Sequence, residues 1–127
     1  RPGGFYNWHS DGGSCHNSVF KKYIYGITEN REDGTMPKEY THNSNWVGKI
    51  RKLSLTINLN TAEEYEGGTL KFDFGPHANR DRYFECTEAR KQGSIIIFPS
   101  FVHHQITPIT SGIRKSLVLW TLGRPFK

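Results

Sequence analysis

Three short groups of side chains in this sequence have the types and spacing to do chemistry together. His9-Ser10-Asp11 is the first. Residues two apart on extended chain project from the same face, so an imidazole and a carboxylate at 9 and 11 can chelate one ion. The second is His103-His104, set in the run FVHHQITP (Phe101–Pro108). Neighbours on a strand point to opposite faces, so only one of these two can look into a given site, and either is a candidate. Two imidazoles and one carboxylate, with coordination positions left open, are a donor set suited to Fe(II) that must still take up a chelating co-substrate and dioxygen. The third group is Arg114-Lys115-Ser116, which opens ten residues after His104. A planar guanidinium suits a bidentate grip on a carboxylate, and Ser116 on the same face can add a hydrogen bond. Together they fit the far end of a dicarboxylic acid whose near end chelates the metal. Val118 and Trp120 continue that face.

The elements that must carry these residues read as strands. Helical periodicity is almost absent, and Gly, Pro, Asn and Asp punctuate β-type runs. The pattern predicts strands at Phe5–His9, Val19–Thr28, Arg51–Asn60, Thr69–Phe74, within Arg82–Ala89, at Ser94–Phe98, at His104–Ile109 and at Arg114–Leu122. Glu29–Gly34 and Thr110-Ser111-Gly112 read as turns, Met36–Gly48 as a surface loop and Thr61–Glu66 as a polar connection. In Arg51–Asn60, Leu53, Leu55, Ile57 and Leu59 share one face and Ser54, Thr56, Asn58 and Asn60 the other. Such a strand is half-buried or lines a polar cavity. About eight short strands at this spacing argue for an all-β or mainly β sandwich or barrel.

A chain of 127 residues is expected to form one domain around one core. No apolar run approaches the ~20 residues of a membrane helix. The net charge of +5 reads as a mildly basic solvated surface, because the basic residues are scattered. Cys15 and Cys86 form no CxxC pair and suit a reduced, intracellular (cytoplasmic) protein over a secreted disulfide scaffold. His16, His42 and His77 read as loop histidines, Tyr23 and Tyr25 as strand packing, and Glu63, Glu64 and Glu66 as a solvated acidic edge. Gly67-Gly68 is no phosphate loop, since no helix or Lys-Ser/Thr follows; it suits a close approach of strands. No Ser-His-Asp, Cys-His or paired-carboxylate site is apparent.

Four segments, PGGFYNWHSDG, RKLSLTINLNTAEEYEGGTLKF, GSIIIFPSFVHHQITPITSGIRKSLVLW and the closing GRPF, give the chain a resemblance to the 2-oxoglutarate/Fe(II)-dependent dioxygenases. It is most similar to their prolyl-4-hydroxylase-like group of bacteria and phages. In that family a Phe-Pro-Ser block precedes the metal-binding histidine, and a Thr-Pro segment, Arg-x-Ser-Leu and a Trp follow it. The resemblance therefore implies His104, not His103, as the distant ligand. It implies a double-stranded β-helix (jelly-roll, cupin-like) fold, with Fe(II) held by His9, Asp11 and His104. Arg114 and Ser116 would take the distal carboxylate of 2-oxoglutarate, and Tyr6 and Trp120 would line the pocket. Asn58 stands where some animal members bind 2-oxoglutarate through a tyrosine. The implied activity is hydroxylation of a substrate C–H bond with release of succinate and carbon dioxide. Peptidyl proline is the family default, 2-oxoglutarate and O₂ are co-substrates, and ascorbate is an accessory reductant. A protein or peptide substrate is expected over nucleic acid. The same resemblance leads to an expectation of sequence upstream of Arg1, and places the long 12–50 segment near the active-site mouth, where it can grip substrate. The alternative from another class is a catalytically silent jelly-roll, acting as a binding or structural module on a virion.

Overall fold

Alternation in the sequence becomes strand pairing in the computed structural model, which describes residues 1–11, 19, 22–23, 40–41, 43–75 and 82–126. The strands are β1 (Tyr6–His9), β2 (Lys22–Tyr23), β3 (Tyr40–Thr41), β4 (Ile50–Asn58), β5 (Tyr65–Gly67), β6 (Leu70–Asp73), β7 (Tyr83–Cys86), β8 (Ile95–Pro99), β9 (His103–Ile106), β10 (Ile109–Gly112) and β11 (Ser116–Gly123). One antiparallel sheet has the order β1-β9-β6-β7 and a second the order β11-β4-β8, with β10-β5 as a separate pair. The result is a mainly β, jelly-roll-like core; only the short β2–β3 pair is parallel. Among the described residues no helix is long and apolar enough to cross a membrane.

The core is built where the two larger sheets face each other. Leu70 and Phe72 of β6, Cys86 of β7, Ala89 of the 3-10 turn Thr87–Arg90, and Phe98 of β8 form one buried cluster, flanked by Ile96, Val102 and Ile106. Phe72 meets Phe98 edge-on at 5.0 Å, a ring geometry that adds about 0.5–1.5 kcal/mol beyond simple burial.

Strand β4 carries the polar-cavity alternative of its two possible readings. Ser54 and Asn58 are buried, whereas Leu53 is exposed. The register stacks Leu55 beside Leu119 and Ile97, and Ile57 beside Leu117 and Ile95. These apolar residues therefore share the outer face, where Leu117, Leu119, Ile95 and Ile97 are exposed. On the inner face Ser54 hydrogen-bonds with Asp11 and Ser100, and the Asn58 amide nitrogen donates to backbone carbonyls, so these polar groups are tolerated there.

Three expectations change. Thr110-Ser111-Gly112 is not a free turn; it lies in β10, paired with β5. Gly112 (φ +74) permits this, since a Cβ there would stand 2.0 Å from the Glu64 carbonyl oxygen. The single strand expected over His104–Ile109 is split into β9 and β10, for Pro108 has no N–H to donate to a ladder. The polar connection Thr61–Glu66 holds a 3-10 turn at Ala62–Glu64, closed by a capping box between Thr61 and Glu64, and then β5. Of the expected strand Val19–Thr28 the described part is Lys22–Tyr23, and within 36–48 a strand at Tyr40–Thr41 and a 3-10 turn at Ser44–Trp46 are described. Cys86 is a free, buried thiol; Cys15, His16, Tyr25, His42 and His77 lie outside the described residues.

The β6–β7 pair is tied at the end where the chain passes from one strand to the next. Arg82 grips Asp73 with both arms, Nε to Oδ1 at 2.7 Å and Nη2 to Oδ2 at 2.9 Å. This bond, with the Gly75 backbone N–H, holds the Asp73 carboxyl at a pKa of about 2, below the ordinary 3.8. A carboxylate whose pKa is lowered by folding stabilises above its unfolded value, and the gain vanishes as pH falls through the folded one. Asp73→Asn is therefore expected to lower the melting temperature at neutral pH, with the gap to the unmodified protein closing towards a pH of about 2. Thermal denaturation of both proteins across that range checks it.

Candidate functional site

Strand β1 pairs with β9 so that His9 faces His104, with an irregularity between Tyr6 and His9. That register brings the two imidazoles within 4.2 Å, centroid to centroid. Asp11 follows as β1 ends, and its Oδ1 stands 3.4 Å from His9 Nε2 and 3.5 Å from His104 Nε2. One ligand atom from each of the three lies within 4.8 Å of the others, and no second such group occurs among the described residues. Donors about 2.1 Å from one ion and at right angles stand about 3 Å apart, so a small divalent cation fits between them.

The surroundings prepare these atoms for a metal. His9 Nδ1 meets the Asn7 carbonyl at 2.6 Å, and His104 Nδ1 meets the Val102 carbonyl at 3.0 Å. An Nδ1–H donated to a carbonyl leaves the Nε2 lone pair free, and Nε2 is the nitrogen that faces Asp11 in both residues. Burial pushes His104 below the ordinary histidine pKa and so favours the neutral, ligating form. Asp11 is held from behind. Ser54 donates to its Oδ2 at 2.5 Å, and Ser100 lies 2.9 Å from Ser54. The Asp11 N–H donates to the Ser100 carbonyl at 3.0 Å, and Arg51 Nη1 donates to the Asp11 carbonyl at 3.3 Å. One carboxylate oxygen is thus fixed by the protein and the other is turned towards the histidines.

The three residues open onto a cavity of about 340 Å³. Its wall is mostly apolar, with Leu70, Phe98, Ile106 and Val118, and it also holds Arg114, Ser116, Tyr6 and Trp120. Arg114 lies just before β11, and its Nη1 donates to Ser116 Oγ at 3.1 Å. Desolvation presses its pKa down, while Tyr65 favours the charged form and Arg90 opposes it; among the described residues no carboxylate acts on it. A half-buried guanidinium without a carboxylate partner among the described residues is matched to an anion from outside. The Tyr6 ring lies against His9, tilted to it, with centroids 4.0 Å apart. Trp120 lies under Arg51, whose guanidinium carbon is 4.0 Å from the ring centre.

The sequence matches the model of the 2OG-Fe(II) oxygenase superfamily over residues 1–122. The chain belongs to that superfamily. The superfamily implies Fe(II) as the metal and 2-oxoglutarate and O₂ as co-substrates, and the donor set formed by His9, Asp11 and His104 fits such an iron. A PKHD-type hydroxylase of Shewanella oneidensis is 37% identical over 74 residues, which cover 58% of this chain and 30% of that protein. A PKHD-type hydroxylase of Azoarcus sp. is 39% identical over 70 residues, 54% of this chain and 27% of that protein. The matches thus span less than a third of the length of these relatives.

Two residues weighed from the sequence, His103 as the alternative to His104 and Asn58 as a co-substrate contact, sit apart from this cavity. His103 is exposed, on the opposite face of β9 from His104 and paired with Asp73. Asn58 is buried but is not part of the cavity wall. Its amide nitrogen contacts the carbonyls of Asn60 at 2.9 Å and Arg90 at 2.7 Å, which takes up both hydrogens. Its Oδ1 has no hydrogen-bond partner.

Sequence reasoning passed over Ser54, Ser100 and Arg51. Ser54 and Ser100 had a signal: a polar residue on β4 and the serine of the Phe-Pro-Ser block both fall beside the first ligand pair once the sheets face each other. Loss of a group that holds a ligand typically weakens metal binding by about 10–100-fold. Ser54→Ala is expected to weaken Mn(II) binding within that range, read by calorimetric titration of the metal-free protein.

Proposed function

We propose that residues 1–127 form a single catalytic domain, an Fe(II)- and 2-oxoglutarate-dependent dioxygenase that hydroxylates a C–H bond of its substrate. Succinate and carbon dioxide leave as co-products, and a protein or peptide, with peptidyl proline as the default, is the substrate class. One observation carries the reading: His9, Asp11 and His104 converge on a cavity whose wall also holds Arg114, a guanidinium on which no carboxylate of the described residues acts.

His9 and His104 offer neutral nitrogens and Asp11 one anionic oxygen. Three protein ligands leave positions open for a bidentate co-substrate and dioxygen. The iron and its co-substrate supply the oxidation; the chain's residues bind, orient and exclude water. Arg114 and Ser116 take the distal carboxylate of 2-oxoglutarate, which orients the 2-keto acid end towards the three ligands. The apolar wall of Leu70, Phe98, Ile106 and Val118 keeps the reacting centre dry. Tyr6 and Trp120 are both exposed at the rim and present ring faces to the substrate. No side chain is needed as a general base.

The prolyl-4-hydroxylase-like assignment is supported by the hydroxylase names of the relatives and by the aromatic rim. The test is conversion of 2-oxoglutarate to succinate by the protein with Fe(II), with ascorbate as reductant, in the presence and absence of proline-containing peptides. Succinate formation that requires the protein, and rises with a peptide, is expected. A folded protein that forms no succinate above the iron-only background contradicts the reading.

A further inference from the structure

We propose that the Thr56 hydroxyl is a third donor to the distal carboxylate of 2-oxoglutarate, beside Arg114 and Ser116. The inference deepens the reading of Arg114 as the anchor for 2-oxoglutarate and rests on it.

Strand β4 runs along the site from end to end. Its inner face presents Ser54, Thr56 and Asn58 in turn, and β11 sets Trp120, Val118 and Ser116 opposite them. The Ser54 end of this row belongs to the metal, through the bond from Ser54 to Asp11 Oδ2. The Ser116 end belongs to the anion anchor, where Ser116 Oγ accepts from Arg114 Nη1 at 3.1 Å. A strand rises about 3.4 Å per residue, so the four-residue step from Ser54 to Asn58 spans roughly 13 Å. A five-carbon dicarboxylate held at both ends lies across the middle of that span, over Thr56 and Val118.

Thr56 and Val118 both form part of the cavity wall. Thr56 differs from its polar neighbours on β4 in having nothing in the protein to bind. Ser54 is engaged with Asp11 and Ser100, and the Asn58 amide nitrogen with the carbonyls of Asn60 and Arg90. The half-buried Thr56 makes no side-chain hydrogen bond among the described residues. Its Oγ1 is not sealed from the cavity either, unlike the partnerless Oδ1 of Asn58. A hydroxyl so placed in a mostly apolar wall is matched to a polar atom of the ligand.

The needs of the carboxylate complete the case. An ionised carboxyl group offers about four lone-pair sites. The fork of Arg114 can fill two of them. Ser116, which uses its oxygen to accept from Arg114, keeps its own O–H to give to a third. Thr56 is the diagonal neighbour of Ser116 across the β4–β11 pair. Diagonal neighbours stand about 7–8 Å apart, a gap that one carboxylate fills when each hydroxyl donates to it. Thr56 is thus placed to supply the fourth bond.

Thr56→Val removes the hydroxyl, keeps the branched shape and suits a strand. Thr56→Ser keeps the hydroxyl. Calorimetric titration of the Mn(II)-loaded protein with 2-oxoglutarate is expected to show a dissociation constant raised roughly tenfold in Thr56→Val, but within about threefold of the unmodified protein in Thr56→Ser. Mn(II) affinity without 2-oxoglutarate, and binding of 2-oxobutyrate, which has no distal carboxylate, are expected to stay unchanged in Thr56→Val. An unchanged 2-oxoglutarate constant in Thr56→Val overturns the proposal. So does an equal loss for 2-oxobutyrate, which marks a role in packing or at the keto-acid end. Failure of the unmodified protein to prefer 2-oxoglutarate over 2-oxobutyrate overturns the anchor reading itself, and the role of Thr56 with it.

Discussion

His104→Ala is expected to weaken divalent-metal binding by more than about a hundredfold, beyond the 10–100-fold that loss of a supporting residue costs. His103→Ala is expected to leave it within about twofold, the range of ordinary surface substitutions. The two histidines are chemically identical neighbours, so composition does not separate them. Their strand does. His104 is buried and turns its Nε2 to Asp11 at 3.5 Å, with its Nδ1 tied to the Val102 carbonyl. His103 is exposed on the other face and sits opposite Asp73. Calorimetric titration of Mn(II) into each metal-free variant separates them, and succinate formation should follow the same order. Removal of one imidazole leaves Asp11 and His9, a two-ligand site that retains a metal poorly. The reverse order, with His103→Ala the damaging change, would mean that β9 is out by one residue, since a single-residue slip exchanges the faces of a strand.

Arg114→Met is the second large change, and it is expected to separate function from stability. A ligand carboxylate left unpaired in a desolvated site loses about 3–5 kcal/mol. That corresponds to a loss of 2-oxoglutarate affinity of a few hundredfold or more. The ligand-free protein is expected to be no less stable, because the guanidinium is desolvated and no carboxylate of the described residues acts on it. An aliphatic chain of similar length removes that burden while filling the same space. Thermal denaturation without ligand and a 2-oxoglutarate titration with Fe(II) read the two effects. A folded Arg114→Met variant that binds 2-oxoglutarate as tightly as the unmodified protein would show that the dicarboxylate is anchored elsewhere.

The site was legible in the sequence to the extent that its residues are local in type and spacing. His9 and Asp11 announce themselves as a pair, and Arg114 with Ser116 as another. Strand alternation alone left His103 and His104 open; family register favoured the second, and it is the second that faces Asp11. The burial of Tyr65 was not legible. It sits among Glu63, Glu64 and Glu66, which look like a solvated edge, and its place beneath Arg90 and beside Gly68 rests on contacts that pattern does not encode. Asn58 shows the opposite case. The family resemblance suggested it as a contact to the co-substrate, but two backbone carbonyls within 2.9 Å occupy its amide nitrogen. In the fold, the strands around the core followed their alternation closely. Gly112 did not, because its part in β10 depends on how near the Glu64 carbonyl comes, a tertiary fact rather than a local propensity.

The central claim is that His9, Asp11 and His104 hold an iron to which 2-oxoglutarate, gripped by Arg114, can chelate. Visible absorption under anaerobic conditions tests it most directly. Fe(II) and 2-oxoglutarate together, but neither alone, are expected to give a weak charge-transfer band with the unmodified protein. His104→Ala and Arg114→Met should lose the band under the same conditions, and His103→Ala should keep it. A folded, unmodified protein that shows no band with both present, or a band that survives His104→Ala, would contradict the account.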